Sequence, residues 1–244
     1  EIVNKILYPK HKTEIAIIGK YVELHDAYLS IAEALCHGGI SNDTEVKIRW
    51  INSDDLTENN INEEMKNIDG ILIPGGFNCL DIEGKIHAAK YARENKIPYL
   101  GISLGMQIAI IEYARNVLNL QGANSIGIDK DTPYPVIDFM EEQEDLDEIG
   151  RGIKLGLYPC KIKEGTKAYE AYQDELIFER HRHRYEFNNQ YKDEMINSGF
   201  LITGLSPDER LVEIMELKDH PWYLCCQYHP EYKFHPHLLC ALRR

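Results

Sequence analysis

The segment PYLGISLGMQ, residues 98–107, decides how this chain is expected to fold. Its apolar part, Tyr99 to Ile102, has the length and composition of a buried strand, and apolar residues from Met106 to Leu118 recur at helical spacing. Between them lies the pattern G-x-S-x-G around Ser103, which is typical of a nucleophile elbow, a tight turn from a strand into a helix. A side chain at this turn projects at the positive end of the helix, where an anion is stabilised. The same glycines also permit close packing of the strand and helix, which would leave Ser103 without a catalytic role.

On both sides of this segment, short β-branched runs alternate with longer amphipathic stretches, as in parallel sheets covered by helices. The predicted strands are 14–19, 46–51, 70–73 and 99–102, and the predicted helices are 27–36, 61–67, 83–95 and 106–118. Asp26 is expected to cap the first of these helices, and Gly38-Gly39 to end it. The last third adds strand-like runs at 153–162, 176–187, 211–217 and 222–228. We therefore predict an α/β fold with a doubly wound, mostly parallel sheet, helices on both faces and antiparallel additions.

The composition argues against several classes of protein. The chain has 244 residues, with 27 Lys and Arg against 40 Asp and Glu, a net charge of −13. Nucleic acid is therefore not expected as a partner, because neutralising phosphates requires a basic surface. No apolar run reaches the roughly 18 residues of a membrane span and no signal peptide opens the chain, so we predict a cytoplasmic protein without a membrane partner. The six cysteines form no C-x-x-C pair and are expected to be reduced thiols, not zinc ligands.

One stretch has neither helical nor strand periodicity. It covers residues 121–152 and includes EEQEDLDE, residues 141–148, with six acidic residues. A calcium-binding loop would need the glycine and the ligand spacing of an EF-hand, which this segment lacks. We therefore expect residues 141–148 to form a solvated loop.

A second motif, QYHPE at residues 227–231, follows a predicted strand near the end of the sequence. His229 and Glu231 are two residues apart, so in extended chain they lie on one side, where the carboxylate can hold the imidazole in one tautomer. A histidine and a glutamate at this spacing can equally be structural. Their interpretation as a general base and its orienting group depends on their combination with Ser103.

A third motif, PGGF at residues 74–77, follows a buried strand and can direct backbone N–H groups toward an oxyanion. The N–H of Leu104 would be the second donor, although turn formation alone would also explain the glycines.

The fourth motif is RHRHRYE, residues 180–186. In a strand its three arginines lie on one face and His181, His183 and Tyr185 on the other. One arginine can bind a substrate carboxylate in bidentate fashion, while ion pairs would explain the other two.

Taken together, these segments resemble one known family. The chain is similar to the C-terminal, class-I glutamine amidotransferase domain of CTP synthase over almost its whole length and in the same order. The segments that carry the resemblance are GKYVELHDAYLSIAEAL (Gly19 to Leu35), ILIPGGF (Ile71 to Phe77), GISLGMQIAIIEYARNVL (Gly101 to Leu118), ERHRHRYEFN (Glu179 to Asn188) and QYHPEY (Gln227 to Tyr232). The segments RHRHRYE and DAYLS distinguish this family from other class-I amidotransferases.

The resemblance implies a flavodoxin-like domain, residues 13–244, that hydrolyses glutamine to glutamate and ammonia, with residues 1–12 as the remnant of an interdomain linker. In the family, ammonia passes to an N-terminal synthase domain, which uses ATP and magnesium to convert UTP to CTP. The expected partners are thus glutamine, or a similar small ligand, and a synthase domain in cis or in trans. No cofactor is expected in this chain, because it has no G-x-x-x-x-G-K-[ST] motif and ATP and Mg²⁺ belong to the synthase domain.

The resemblance also implies a role for individual residues. The nucleophile position falls on Ser103, the base on His229 and the orienting carboxylate on Glu231. The expected oxyanion donors are Gly76 and Leu104. The expected glutamine-binding residues are Gly75, Phe77, Gln107 and Arg184, with Arg184 on the α-carboxylate.

Four departures from the family pattern qualify this expectation. The family has Cys where this chain has Ser103, and an acidic residue for the glutamine α-amino group where it has Gly127. The loop after PGGF has lost a basic residue, which is replaced by Leu80, and Tyr232–Pro236 lacks the usual Ser-Arg. A serine must lose its proton during the attack in a site shaped for a thiolate, so we expect glutaminase activity to be impaired. Because Gly127 and the altered loop belong to the same pocket as Ser103, the pattern favours a natural change over an engineered one.

Three functions follow from these observations. The first is an impaired glutaminase domain that serves CTP synthesis. The second is a catalytically silent pseudo-amidotransferase that binds a ligand or a partner. The third is a serine hydrolase, which is disfavoured because α/β-hydrolases place the acid before the histidine, whereas Glu231 follows His229.

Overall fold

The structure of the protein is a computed structural model that describes residues 2–76, 82–139 and 153–233. The strands are β1 (His11–Gly19), β2 (Thr44–Asn52), β3 (Gly70–Ile73), β4 (Tyr99–Ile102), β5 (Asn124–Ser125), β6 (Pro135–Phe139), β7 (Lys154–Ile162), β8 (Leu176–His183), β9 (Tyr185–Phe187), β10 (Phe200–Leu205), β11 (Val212–Leu217) and β12 (Tyr223–Cys226). The helices are α1 (Ile2–Leu7), α2 (Leu29–Ser41), α3 (Ile61–Glu64), α4 (Glu83–Asn95), α5 (Leu104–Asn116), α6 (Lys167–Tyr172) and α7 (Lys192–Ser198).

Within the described residues, the main sheet has nine strands in the order β2-β1-β3-β4-β12-β11-β10-β7-β8. The first five strands of this order run parallel, and the remaining four are added in antiparallel fashion. A smaller sheet, β5-β6-β9, lies beside it. The α/β prediction is confirmed, including the antiparallel additions.

The helices cover both faces of the parallel strands, which is the defining feature of a doubly wound sheet. Alternate residues of β1 divide between the two cores: Ala16 and Ile18 pack with α4 and α5, whereas Ile15 and Ile17 pack with α2 and α6. Burial on both faces explains why β3 and β4 read as continuous apolar runs.

Several predicted boundaries were wrong for identifiable reasons. A 3-10 turn at His25–Tyr28 precedes α2, so Asp26 does not cap the helix. The helix also continues through Gly38 and Gly39 to Ser41, because its buried face packs against β2. The predicted strand 176–187 is two strands in two different sheets, since the chain turns at Arg184. The sequence patterns did not predict α6, α7, β5, β6 or β10.

The helix that follows the elbow is anchored by a buried ion pair. Arg93 on α4 donates to both carboxylate oxygens of Glu112 on α5, with Nη2 to Oε1 at 2.7 Å and Nε to Oε2 at 3.0 Å. Glu112 has no exposed side-chain surface. The desolvated carboxylate therefore depends on this guanidinium for its stability.

We expect Arg93→Met to lower the free energy of unfolding by about 3 kcal/mol or more, because it leaves a buried carboxylate unpaired. The exposed pair Lys12–Glu45 is the matched control, with side chains 79% and 52% exposed. Lys12→Met should change stability by less than about 0.5 kcal/mol. Urea titration measures both values, and equal effects in the two variants would contradict the prediction.

In the described part of the chain, no helix combines the length and the apolar character needed to cross a membrane. The acidic segment 141–148 lies outside the described residues, so its prediction as a solvated loop stays a prediction.

Candidate active site

The turn between β4 and α5 has the geometry of a nucleophile elbow. Ser103 has φ 52° and ψ −102°, a strained conformation for a residue with a side chain. Its N–H donates to the carbonyl of Cys226 on β12 at 2.7 Å, which fixes the turn against the neighbouring strand. A Cβ on Gly105 would lie 2.1 Å from the carbonyl oxygen of Ile73, so the glycine is required for close packing as well. The turn therefore has both the elbow geometry and the close packing that the G-x-S-x-G motif predicted, and a catalytic role for Ser103 stays a prediction.

His229 lies just beyond the end of β12 and is held from two sides. Its N–H donates to the carbonyl of Arg180 on β8 at 2.8 Å. Its Nδ1 lies 2.8 Å from Oε1 of Glu231. The buried Nε2 has no hydrogen-bond partner within the described part of the chain. A neutral imidazole with Nδ1–H on a carboxylate keeps its Nε2 lone pair available, as a general base requires.

The elbow and His229 lie at the same edge of the sheet, because β3, β4 and β12 are adjacent parallel strands whose carboxyl ends lie together. The loop after β3 contacts the base directly, since a Cβ on Gly75 would lie 2.6 Å from Cε1 of His229. Leu104 is the first residue of α5, so its N–H has no acceptor inside the helix. Gly75, Gly76, Leu104, His229 and Glu231 all line one cavity of about 400 Å³.

On the other side of the elbow, Gln107 is buried on α5 and its Nε2 donates to the carbonyl of Tyr185 at 3.3 Å. The ring of Tyr185 also faces Gly127, where an added Cβ would lie 2.4 Å from ring carbons. Gln107, Gly127 and Tyr185 thus form a second group of neighbouring residues in the structure.

The described residues that line this cavity do not include Ser103, Gln107 or Arg184. Arg184 is exposed between β8 and β9, and it is Arg182 that borders the cavity. The role of Arg184 in binding a carboxylate stays a prediction. Phe77 lies outside the described residues, as does Leu80.

Sequence reasoning missed two residues at the cavity. Lys85 is only 2% exposed, lines the cavity and donates to Oγ of Ser53 at 2.8 Å. The sequence did contain a signal for Lys85. It precedes Ala88 and Ala89 by three and four residues, so it lies on the apolar face of the helix, where a charged residue is rarely found without a partner. Tyr232 stacks on His229 with ring centroids 5.5 Å apart and covers one face of the imidazole.

Strand β8, whose Arg180 carbonyl accepts a hydrogen bond from the N–H of His229, contributes to a buried polar network. Nδ1 of His181 lies 2.9 Å from Nε2 of His183, and Nζ of Lys154 lies 2.8 Å from Oε1 of Glu213. Burial lowers the pKa of His181 to about 2 and that of His183 to about 3, and the Lys154 ammonium adds to both effects. Burial also raises the pKa of Glu186 and of Glu213. Both histidines are therefore neutral at physiological pH.

We expect this pair to make the protein less stable in acid. As pH falls from about 6.5 toward 3, the unfolded chain protonates both histidines while the folded chain does not, which costs up to about 1.4 kcal/mol per histidine and pH unit. The raised pKa values of Glu186 and Glu213 have the opposite effect on the free energy of unfolding above about pH 4.5. The contribution of one histidine is therefore measured as the difference between His183→Gln and the parent chain. The variant should lose stability less steeply between pH 6.5 and 4.5 in urea titrations. The exposed His11→Gln is the control, and parallel slopes for His183→Gln and the parent would contradict the prediction.

Within the described residues, no cluster of three or more His, Cys, Asp or Glu side chains is arranged to hold a metal ion. The described groups at this edge of the sheet include the hydroxyl of Ser103 and the paired imidazole and carboxylate of His229 and Glu231.

Comparison with known proteins identifies the family of this chain. The model of the family "Glutamine amidotransferase class-I" matches residues 23–242. The chain belongs to the class-I glutamine amidotransferase family. Among curated relatives, the CTP synthase of Caldanaerobacter subterraneus subsp. tengcongensis is 59% identical and that of Bacillus subtilis 58% identical, each over 236 residues and 97% of this chain. The chain spans 44% of the length of each of these relatives.

A solved structure indicates which type of amidotransferase domain this chain is. The glutaminase domain of Trypanosoma brucei CTPS, which has acivicin bound, is 32% identical and superposes with a TM-score of 0.86. The match covers 94% of this chain and 91% of that domain. The chain is therefore an amidotransferase domain of the CTP synthase type.

The packing at Gly127 leads to a prediction for this amidotransferase domain. Gly127→Glu would place the family's acidic residue in the pocket, but its Cβ would clash with the ring of Tyr185. We expect the single variant to be less stable by about 1 to 3 kcal/mol and no better at binding glutamine. Gly127→Glu combined with Tyr185→Ala provides the missing space and should bind glutamine more tightly than Tyr185→Ala alone. Isothermal calorimetry checks this, and tighter binding by the single variant would contradict it.

Proposed function

We propose that this chain binds glutamine and hydrolyses its side-chain amide slowly through Ser103, His229 and Glu231. The ammonia released would serve a synthase domain that aminates UTP to CTP. The observation that carries the proposal is the pair His229–Glu231, whose free Nε2 lies at the same sheet edge as the strained Ser103 elbow. No other described group makes a hydrogen bond to this nitrogen.

In the proposed reaction, Nε2 of His229 accepts the proton of the Ser103 hydroxyl as Oγ attacks the amide carbon. Negative charge moves to the carbonyl oxygen, where N–H groups of Leu104 and Gly76 act as donors. His229 then gives its proton to the leaving nitrogen, ammonia departs and a γ-glutamyl ester remains on Ser103. A water molecule, deprotonated by His229, hydrolyses this ester to glutamate and restores the serine.

The reaction is proposed to be slow because of the nucleophile. A cysteine next to a histidine and a helix N-terminus is already a thiolate near neutral pH, whereas a serine hydroxyl is not ionised. The glutamine α-amino group also lacks an acidic partner at Gly127, and one lost charge-assisted hydrogen bond weakens binding by about 1.5 to 3 kcal/mol.

One observation favours the second candidate, a ligand-binding module without turnover. The ring of Tyr185 occupies the space beside Gly127, where the family places its acidic residue. In that case the domain would hold a small ligand or a partner without releasing ammonia.

The test combines binding and turnover on the whole chain. Isothermal calorimetry with glutamine measures occupancy, and glutamate release measures hydrolysis, with Ser103→Ala as the control for contaminating activity. Binding with a slow release that Ser103→Ala abolishes supports the glutaminase proposal. Binding without release, even after Ser103→Cys, favours the binding module, and no binding of glutamine contradicts both proposals for this ligand.

A further inference from the structure

The turn from β8 into β9 consists of a single residue. Strand β8 ends at His183 in the nine-stranded sheet and β9 begins at Tyr185 in the three-stranded sheet, so Arg184 alone connects them. Arg184 is exposed, whereas His183 and Glu186 are buried. The direction in which the Arg184 guanidinium projects therefore depends on how these buried neighbours are held.

The neighbours of Arg184 belong to a closed circle of buried ionisable side chains, which we name the buried ring. Nδ1 of His181 lies 2.9 Å from Nε2 of His183, and Nδ1 of His183 lies 3.4 Å from Oε1 of Glu186. Nζ of Lys154 lies 3.9 Å from the same Glu186 oxygen and 2.8 Å from Oε1 of Glu213. Oε2 of Glu213 lies 3.7 Å from Nδ1 of His181 and closes the circle. The buried ring thus ties the residues on both sides of the turn to β7 and β11.

The charges of the buried ring balance when it holds one extra proton. Lys154 contributes one positive charge and the two carboxyl groups contribute two negative charges when ionised, while burial keeps both histidines neutral. No side chain of the ring is more than 8% exposed, so an uncompensated charge would be costly there. Burial and the nearby Glu213 carboxylate raise the pKa of Glu186 well above its ordinary value, which places the extra proton on this carboxyl group. Glu186 is then a neutral member of the ring, next to Nδ1 of His183.

The same segment contacts the helix that follows the elbow. The carbonyl of Tyr185 accepts a hydrogen bond from Nε2 of Gln107 on α5 at 3.3 Å. On the other side of the ring, the carbonyl of Arg180 on β8 accepts from the N–H of His229 at 2.8 Å. The turn at Arg184 therefore lies between the buried ring and the residues where glutamine is expected to bind.

We propose that the buried ring is a positioning network that holds the Arg184 guanidinium toward the carboxylate of a bound α-amino acid. This inference rests on the proposed function, because the amino acid concerned is glutamine. Glu186 is a positioning residue in this network, since it acts through Arg184 and does not itself touch the ligand. The ring determines affinity for the α-carboxylate and leaves the chemistry at Ser103 unchanged.

The experiment measures glutamine binding to the whole chain by isothermal calorimetry. We expect Glu186→Leu to weaken binding by about tenfold or more, the effect of losing one charge-assisted hydrogen bond. Glu186→Gln should stay within about threefold of the parent, because its amide is neutral, has the same shape and can donate to His183. Ile177→Ala, a buried site on β8 outside the ring, is the matched control for general loss of stability and should also stay within about threefold.

A double-mutant cycle distinguishes positioning from a purely structural role. In an Arg184→Ala protein, the added Glu186→Leu change should have no further effect on glutamine binding, because the ring acts through the missing guanidinium. Additive losses, an equal loss in Ile177→Ala, or unchanged binding in Glu186→Leu would each overturn the proposal. Circular dichroism checks that each variant folds, and His183→Leu replaces Glu186→Leu, with the same expectations, if that variant does not.

A separate measurement distinguishes failure of this proposal from failure of the proposed function. Binding of glutamine without release of glutamate contradicts only the glutaminase reaction, and the cycle above still decides the role of the ring. If the parent chain does not bind glutamine, the proposed function fails, and the hold of the ring on the turn is measured by deuterium exchange. We expect the amides of residues 184–187 to exchange faster in Glu186→Leu than in the parent and in Ile177→Ala. Equal exchange in the three proteins would overturn the positioning role.

Discussion

Replacing Ser103 by cysteine should raise the rate of glutamate release from glutamine by about a thousandfold or more. The reason is the position of this residue at the N-terminus of α5, where the proposed function also requires the imidazole of His229 and two backbone donors. At such a position a thiol is largely ionised near pH 7, whereas the hydroxyl of serine must be deprotonated in the transition state itself. The gain should be in kcat, because the glutamine-binding residues do not change.

The measurement is a coupled assay of glutamate release at saturating glutamine. Ser30→Cys is the matched control, since Ser30 lines the cavity that His229 and Leu104 line but does not lie at the elbow. Iodoacetamide labelling against pH shows separately whether the new thiol is ionised below its ordinary pKa of about 8.5. A reactive thiolate at position 103 without a gain in turnover would refute the assignment of this position as the nucleophile.

The second large effect concerns the base. In the Ser103→Cys background, we expect His229→Ala to lower kcat by about a hundredfold to ten-thousandfold, because proton transfer to the leaving nitrogen is lost. Glu231→Gln should cause a loss of similar order, since the amide no longer holds Nδ1–H and the ring can adopt the wrong tautomer. In both variants, KM should change far less than kcat.

Steady-state kinetics from pH 5 to 9 checks these values, and the exposed His11→Ala controls for general effects of losing a histidine. In this Ser103→Cys background, the acidic limb of the kcat profile should move to higher pH in His229→Ala, because the thiol loses an imidazole that favours its ionisation. An unshifted limb in that variant, or full activity in Glu231→Gln, would show that the pair in contact at 2.8 Å has no part in the reaction.

The central part of the fold was predictable because its signals are local. The apolar runs at β1, β3 and β4 are buried on both faces, and helical spacing identified α4 and α5 within one or two residues at each end. The antiparallel region was less predictable. The turn at Arg184, which sends the two halves of one apparent strand into two sheets, leaves no mark in the alternation of polar and apolar residues.

In the candidate site, too, the features with local signals were predictable and those that depend on distant residues were not. The motifs gave Ser103 and the His229–Glu231 pair, because an elbow and a two-residue spacing are short-range features. The approach of Gly75 to His229, and of Tyr185 to Gly127, joins residues far apart in the chain. The buried Lys85 and the neutral histidine pair likewise depend on neighbours from other elements.

The amino-acid sequence alone therefore determined the order of strands and helices from β1 to α5, the elbow and the chemical groups, since each depends on residues within a turn or two of one another. Only the tertiary structure decided which groups share a cavity, how His229 is held and which arginine borders the site. Those outcomes depend on strand order and close packing between distant segments. All of these contacts form together when the whole chain packs, so no local pattern of residues predicts any one of them.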